Sequence, residues 1–135
     1  MWDGDPVSLL NDIVSALTGL NYEIILFPDA NDYTLSHPSG ALLLSYDGSE
    51  FDELQSSQKI GVRVTAKVAI TIQSIGLQDS SNGVYAIFSQ VREKIFGRTY
   101  LKGYWIPTGE RVVTWQNGLW ISQMIFQIQL NLYKT

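Results

Sequence analysis

One histidine and two acidic segments are the residues best suited to chemistry in this chain. His37 is the only histidine among 135 residues, and it lies between Ser36 and Pro38. A histidine can act as a general base near neutral pH, but a Ser-His-Asp relay also needs a nucleophile and an oxyanion site. No nucleophile-elbow motif occurs. We therefore interpret His37 as a residue that fixes a turn by hydrogen bonding to the backbone.

The acidic segments, residues 29–32 and 47–53, are candidates for cation binding. The first contains part of a calcium-loop pattern but lacks the required glycine and the bidentate glutamate. The second carries four carboxylates, those of Asp47, Glu50, Asp52 and Glu53. We interpret both segments as solvated loops, because acidic loops are common without bound metal. No carboxylate pair has a spacing that selects glycoside chemistry.

Cofactor chemistry finds no support in the remaining residues. The chain has no cysteine and a single histidine, so a zinc site is not expected. There is no phosphate-binding glycine-rich loop and no dinucleotide fingerprint. Aromatic residues interleave with Arg98, Lys102 and Arg111, an arrangement that can stack bases or anchor a core or a subunit interface. We favour core or interface and expect no nucleic-acid partner, because the pI is about 4.7.

Two amphipathic helices are predicted to position these residues. The first runs from Pro6 to about Leu20, with Asp5 as the N-cap and Gly19 in the last turn. The second runs from Asn82 to Phe96, where Gly97 suits the C-terminal cap.

Strict alternation of apolar and polar residues predicts two long strands, Ile60–Gln73 and residues 123–134. Shorter strands are predicted at 22–27, 41–46 and 112–115, the last joined to the C-terminal strand by an Asn117-Gly118 turn. The fold class is α+β: a mostly antiparallel sheet of long strands with two helices packed on one face. With no linker or repeat, residues 1–135 form one predicted domain.

The polar faces of the long strands are rich in Gln, Thr, Asn and Ser rather than Lys and Glu. Such a face is typical of a subunit contact, although a solvent-facing sheet explains it equally well. No apolar run approaches the roughly twenty residues of a membrane-spanning helix. The first residues have no positive start and no apolar stretch, so neither a membrane partner nor a secretory signal is expected.

Residues 33–49 carry a resemblance to a known family. A Tyr-x-Leu-x-His-Pro-x-Gly-Ala segment from Tyr33 to Ala41 is followed by an apolar strand and by Tyr46-Asp-Gly-Ser49. This pattern resembles the small tail proteins of Mu-like phages and prophages, which belong with the tail terminators. The long alternating strand and the helix after it follow in the same order.

The resemblance implies a non-enzymatic subunit that assembles into a ring, expected to be a hexamer. Such a ring ends polymerisation of a tail tube or sheath, or caps a headless contractile injection particle. Its partners would be itself and tube or sheath subunits, with assembly in the cytoplasm and residence in a virion or phage-tail-like particle. His37, Pro38 and Gly40 would then be structural residues of a turn.

Charge is segregated along the chain in a way that suits a ring. Residues 1–53 hold ten acidic side chains and no basic one, and the rest hold all nine basic ones and three acidic ones, so the formal charges of the two parts are −10 and +6. A ring subunit meets its neighbours through two different surfaces, and opposite charge would register them. The predicted interface residues are Asp47, Glu50, Asp52, Glu53, Arg92, Arg98, Lys102 and Arg111.

Two other functions remain open at this point. One is a small hydrolase or ligand-binding enzyme that uses His37 and the acidic segments. The other is nucleic-acid binding through the basic residues of the second half, which would give a steep salt dependence.

Overall fold

The first helix, α1, spans Pro6–Leu17 in the computed structural model, which describes residues 5–26, 40–54, 60–79 and 82–134. Its start is as predicted: the Asp5 carboxylate accepts a 3.2 Å hydrogen bond from the Ser8 amide, and Pro6 takes the first position. The helix ends before Leu20, with Thr18 as its C-cap. The Thr18 hydroxyl donates to the Val14 carbonyl oxygen, a side-chain bond of the kind that competes with helix propagation.

The second helix, α2, spans Val84–Ile95 and is slightly shorter than the predicted 82–96. Gly83 is its N-cap. At the other end Phe96, and not the predicted Gly97, is the C-cap. Gly97 follows it with a φ of +84°, a conformation that favours glycine. Neither α1 nor α2, the helices of the described residues, is long and apolar enough to cross a membrane.

In the described parts of the chain, seven strands form two sheets. The larger has the order β1-β2-β3-β7-β6, and the smaller is a two-stranded ribbon of β4 and β5. Within the larger sheet only β1 and β2 are parallel. The strands are β1 (Glu23–Leu26), β2 (Ala41–Leu54), β3 (Ile60–Ser74), β4 (Thr99–Tyr100), β5 (Gly103–Tyr104), β6 (Ile106–Gln116) and β7 (Leu119–Lys134). An α+β fold with a mostly antiparallel sheet of long strands is therefore confirmed, and the β4–β5 ribbon is an addition to it.

The second acidic segment is not a loop, and that prediction was wrong. Strand β2 continues through residues 47–53 and stays paired with β3 as far as Leu54 opposite Gly61. A bulge between Tyr46 and Gly48 absorbs one extra residue. Cross-strand pairing with a strongly β-forming partner overrides the weak strand propensity of Asp, Gly, Ser and Glu.

Strand β6 is also longer than predicted, since it begins at Ile106 rather than at Val112. Asn117 and Gly118 both have positive φ, which confirms the predicted tight turn between β6 and β7. This hairpin lies at one end of the sheet, and the β2–β3 hairpin lies at the other.

One hydrophobic cluster joins both helices to the long strands. Alternate residues of β3 from Val64 to Ile72 are almost fully buried in it, together with the β7 residues from Met124 to Leu130 that alternate in the same way. Trp105 is the largest fully buried side chain among the residues that the structure describes. We call the side of the sheet that faces this cluster the core face and the opposite side the outer face.

Candidate interaction surfaces

The turn predicted around His37 and Pro38 lies outside the described residues, as does the first acidic segment, 29–32. Gly40 is described, and it has a φ of +124° immediately before β2. A Cβ atom there would lie 2.8 Å from the Gln73 carbonyl oxygen. Position 40 therefore favours glycine both for its backbone conformation and for its close approach to β3. A structural role for the whole turn stays a prediction.

The second acidic segment lies on an exposed edge of the sheet. The lateral edge of β2 that points away from β3 pairs with β1, but only from Ala41 to Leu44. Beyond Leu44, in the part of the chain that the structure describes, no strand pairs with this edge of β2. The side chains of Asp47, Glu50, Asp52 and Glu53 are all exposed there. We call β2 from Asp47 to Leu54 the acidic edge.

The side chains of the acidic edge alternate between the two faces of the sheet. Phe51 lies opposite Val64 and therefore points to the core face, whereas Glu50 lies opposite Thr65 and points to the outer face. Phe51 is nevertheless 62% exposed. The described residues bring no three potential metal ligands together, so the acidic edge does not form a cation site of that kind.

Two of the predicted basic interface residues are bound within the chain. Arg92 of α2 makes two hydrogen bonds, of 3.0 and 2.9 Å, to the Glu110 carboxylate of β6. Arg98 donates two bonds to Asp12 of α1, of 3.2 and 3.1 Å. The first pair joins α2 to β6, and the second joins α1 to the segment just before β4. Arg111 is exposed on the outer face of β6, opposite Gln123, in the half of the sheet away from the acidic edge.

Sequence reasoning missed the part that Asp12 plays. Its second carboxylate oxygen accepts a 2.8 Å hydrogen bond from Nε1 of Trp105, so one side chain satisfies both an arginine and a buried indole. Asp12 lies on the polar side of α1, where an acidic residue is unremarkable. Because 93 positions separate it from Trp105, no local pattern links the two.

Lys102 borders an open groove of about 880 Å³ on the outer face. The β4–β5 ribbon supplies one wall through Leu101, Lys102 and Tyr104. The floor comes from β3 and β7, with Arg63, Gln129, Asn131 and Tyr133 among its residues. None of the described residues that line the groove is acidic, and we call it the basic groove.

The aromatic cluster of the second half divides between core and surface. Trp105 is fully buried, whereas Tyr104 in the basic groove is 61% exposed. Trp115 on β6 is 59% exposed, and its ring lies 6.4 Å from that of Trp120 at a tilted angle. Because the core residue and the surface residues lie apart, the arrangement fits packing and protein contact better than one continuous base-stacking platform.

Burial changes the acid–base behaviour of one tyrosine. Tyr22, beside the start of β1, donates a 2.5 Å hydrogen bond to the Gln90 side-chain oxygen of α2. Desolvation by burial raises the pKa of Tyr22 above its ordinary value. This pKa shift is a consequence of packing in the core, because Tyr22 lies in the same hydrophobic cluster as residues of both helices.

Comparison with known proteins first defines the class of fold. A chain in the solved structure described as the virion of a native gene transfer agent (GTA) particle has a similar fold, with a TM-score of 0.51. The match covers 94% of this chain and 92% of that one at 10% sequence identity, a level that shows a shared α+β fold and nothing more. No curated protein matches the sequence.

The family follows from the sequence itself. The pattern of the Gp37 protein family matches residues 14–131, which include the last turn of α1, the whole of α2 and nearly all of the sheet. The chain therefore belongs to the Gp37 protein family.

Proposed function

We propose that this protein is a structural subunit of a phage-type particle and that it assembles into a ring. The observation that carries the proposal is the three-stranded end of the sheet, where β2, β3 and β7 run on together beyond β1 and β6. That end has an acidic edge on one side and a basic groove on the other. The similar fold of a chain in a GTA virion supports the same function.

The narrower role is that of a tail terminator or cap, as in the Mu-like tail proteins that residues 33–49 resemble. In this role a hexameric ring ends growth of a tube or sheath, in a phage tail or a contractile injection particle. Assembly takes place in the cytoplasm before the ring joins the particle. Residues of both helices share one hydrophobic cluster with the long strands. In this role the polar outer-face residues of the long strands would make contacts within the particle.

No catalysis is needed for this function. The enzyme alternative relied on His37 and the two acidic segments, and one of those segments is an exposed strand with no cluster of three potential ligands among the described residues. An activity that disappears in His37→Ala, while the variant keeps its solubility and assembly, would favour the enzyme.

A polymerisation assay tests the role as a terminator. Tube or sheath subunits from the same particle are allowed to polymerise with and without the full chain, and their lengths are measured by electron microscopy. We expect added chain to shorten the polymers and to appear at one end only. Polymers of unchanged length with no bound chain would contradict the role.

A further inference from the structure

We propose that the acidic edge of one copy docks in the basic groove of a second copy, and that this contact closes the ring. The inference rests on the proposed function and adds to it a specific pair of surfaces. The main electrostatic contact joins the Glu50 carboxylate to the Lys102 ammonium group. The main apolar contact joins Phe51 to Leu101 and Tyr104 of the groove wall.

Strand pairing places the two surfaces on opposite sides of one sheet end. On one side, pairing of β1 with β2 stops at Leu44. On the other, pairing of β6 with β7 stops at Gln127, while β7 stays paired with β3 as far as Lys134. The acidic edge therefore lies at one lateral edge of the β2-β3-β7 end, and the β4–β5 wall of the basic groove lies beside β7 at the other, with the floor of the groove on β3 and β7 between them. A contact between two such different surfaces is heterologous, and repeating it produces a ring when the rotation closes.

Charge favours a second copy as the occupant of the groove. The acidic edge carries four exposed carboxylates and no basic residue between Ala41 and Leu54. The groove carries Arg63 and Lys102 with no acidic residue among its described lining. Complementary potentials of this kind steer association and fix register. Each copy supplies both surfaces, so no other partner is required.

The choice of Lys102 over the other cations follows from their contacts. Arg92 and Arg98 already form ion pairs within the chain. Arg63 lies directly opposite Asp52 of its own β2 strand, so the field of that carboxylate offsets part of its charge. Lys102 lies in the β4–β5 turn, two strands away from the acidic edge, and it is exposed.

Exposed apolar surface on both sides supplies the rest of the contact. Phe51 is 62% exposed on the acidic edge, and Leu101 and Tyr104 are 44% and 61% exposed on the groove wall. Aromatic residues that become buried at the centre of an interface contribute much of its binding energy. A charged rim around such an anchor is the usual anatomy of a specific interface.

Charge reversal and charge exchange in the full chain test the inference. The variants are Glu50→Lys, Lys102→Glu and the double variant with both changes, and Glu93→Lys on the exposed side of α2 is the matched control. Light scattering after size-exclusion chromatography gives the mass, and thermal unfolding checks that each variant is folded. We expect each single variant to weaken assembly by about tenfold or more. The double variant should restore assembly, and Glu93→Lys should behave as wild type.

Mixing the two single variants gives a second readout. A Glu50→Lys copy keeps an intact groove, and a Lys102→Glu copy keeps an intact acidic edge. The mixture should therefore assemble, because native contacts alternate with the exchanged contact of the double variant, whereas each single variant alone should not. Each neutral variant, Glu50→Gln or Lys102→Gln, should also weaken assembly, by less than the reversal does, so a reversal that disturbs folding does not decide the outcome.

The possible failures are distinguishable. Rings that persist unchanged in folded Glu50→Lys and Lys102→Glu proteins would overturn this contact while the proposed function stands. A wild-type chain that stays monomeric alone and with tube or sheath subunits would overturn both. Tight, salt-sensitive binding of DNA by wild type that Lys102→Glu abolishes, without any effect on self-assembly, would assign the groove to nucleic acid instead.

Discussion

The Asp12 carboxylate accepts a 2.8 Å hydrogen bond from the indole nitrogen of Trp105, the largest fully buried side chain of the described core. The same carboxylate accepts hydrogen bonds from Arg98. Because Arg98 directly precedes the β4–β5 ribbon and Trp105 directly follows it, Asp12 connects α1 to both ends of the ribbon. Because that ribbon forms one wall of the basic groove, Asp12 is expected to stabilise the fold and to position the groove as well.

Replacement of Asp12 should therefore destabilise the protein. In Asp12→Ala the buried Trp105 N–H loses its acceptor and Arg98 loses its partner, which we expect to lower the free energy of unfolding by about 2–4 kcal/mol. Urea denaturation measures the change. Asn11→Ala, at an exposed position on the same helix, is the control and should change stability by less than about 0.5 kcal/mol. Equal effects at positions 11 and 12 would contradict this role.

Two buried serines should respond in opposite ways to replacement by alanine. The Ser74 hydroxyl lies 3.0 and 2.9 Å from the carbonyl oxygens of Gly76 and Asn82, either of which can accept its one proton, so Ser74→Ala should cost about 1–2 kcal/mol. The Ser122 hydroxyl is buried and finds no hydrogen-bond partner among the described residues. Ser122→Ala should be neutral or slightly stabilising. Thermal unfolding of both variants measures the two changes in stability. A larger loss of stability for Ser122→Ala than for Ser74→Ala would show that the Ser122 hydroxyl has a partner.

Close packing of Gly103 makes it a test of the basic groove. A Cβ atom at Gly103 would lie 2.4 Å from the Gln129 carbonyl oxygen, so Gly103→Ala must push the β4–β5 ribbon away from β7. We expect lower stability and weaker self-assembly. Gly109→Ala is the matched control, because nothing lies within 4 Å of its added methyl group. Assembly measured by sedimentation velocity should fall only in the first variant, and unchanged assembly in Gly103→Ala would separate the groove from the ring contact.

Tyr22 should make stability depend on pH in alkaline solution. Its pKa is raised in the folded protein above the ordinary value of 10.0, so the fold keeps the phenol proton over a range in which the unfolded chain has lost it. The resulting contribution to stability is complete below about pH 10 and is lost as pH rises through the folded pKa. Tyr22→Phe should flatten this part of the stability–pH curve, whereas Tyr85→Phe, at a half-exposed site, should not. Parallel curves for wild type and Tyr22→Phe would contradict the assignment.

Sequence patterns predicted the helices and strands that depend on residues close together in the sequence. Strand β3 follows from the alternation of Ile60–Gln73, and the start of α1 follows from Asp5 and Pro6, because each signal lies within a few residues of the element it defines. The second half of β2 could not be predicted in this way. Its residues suit a loop, and only pairing with β3 makes them a strand.

The candidate surfaces were predictable only in part. Segregated charge pointed to an acidic surface and a basic one, and the exposed acidic edge fits that expectation. The basic groove could not be predicted, because the order of the strands in the sheet, and not the spacing of residues in the sequence, brings Arg63 and Lys102 to one groove. The ion pairs of Arg92 and Arg98 could not be predicted either, because their partners lie 18 and 86 residues away in the sequence.

The native mass of the full chain in solution tests the central claim most directly. Light scattering over a concentration series at low and at high salt should show one closed species of discrete mass, expected to be a hexamer of the 15.2 kDa chain. That species should give way to monomer as salt screens the contact between the acidic edge and the basic groove. A species of 15.2 kDa at every concentration and at both salt levels, also in the presence of tube or sheath subunits, would contradict the account.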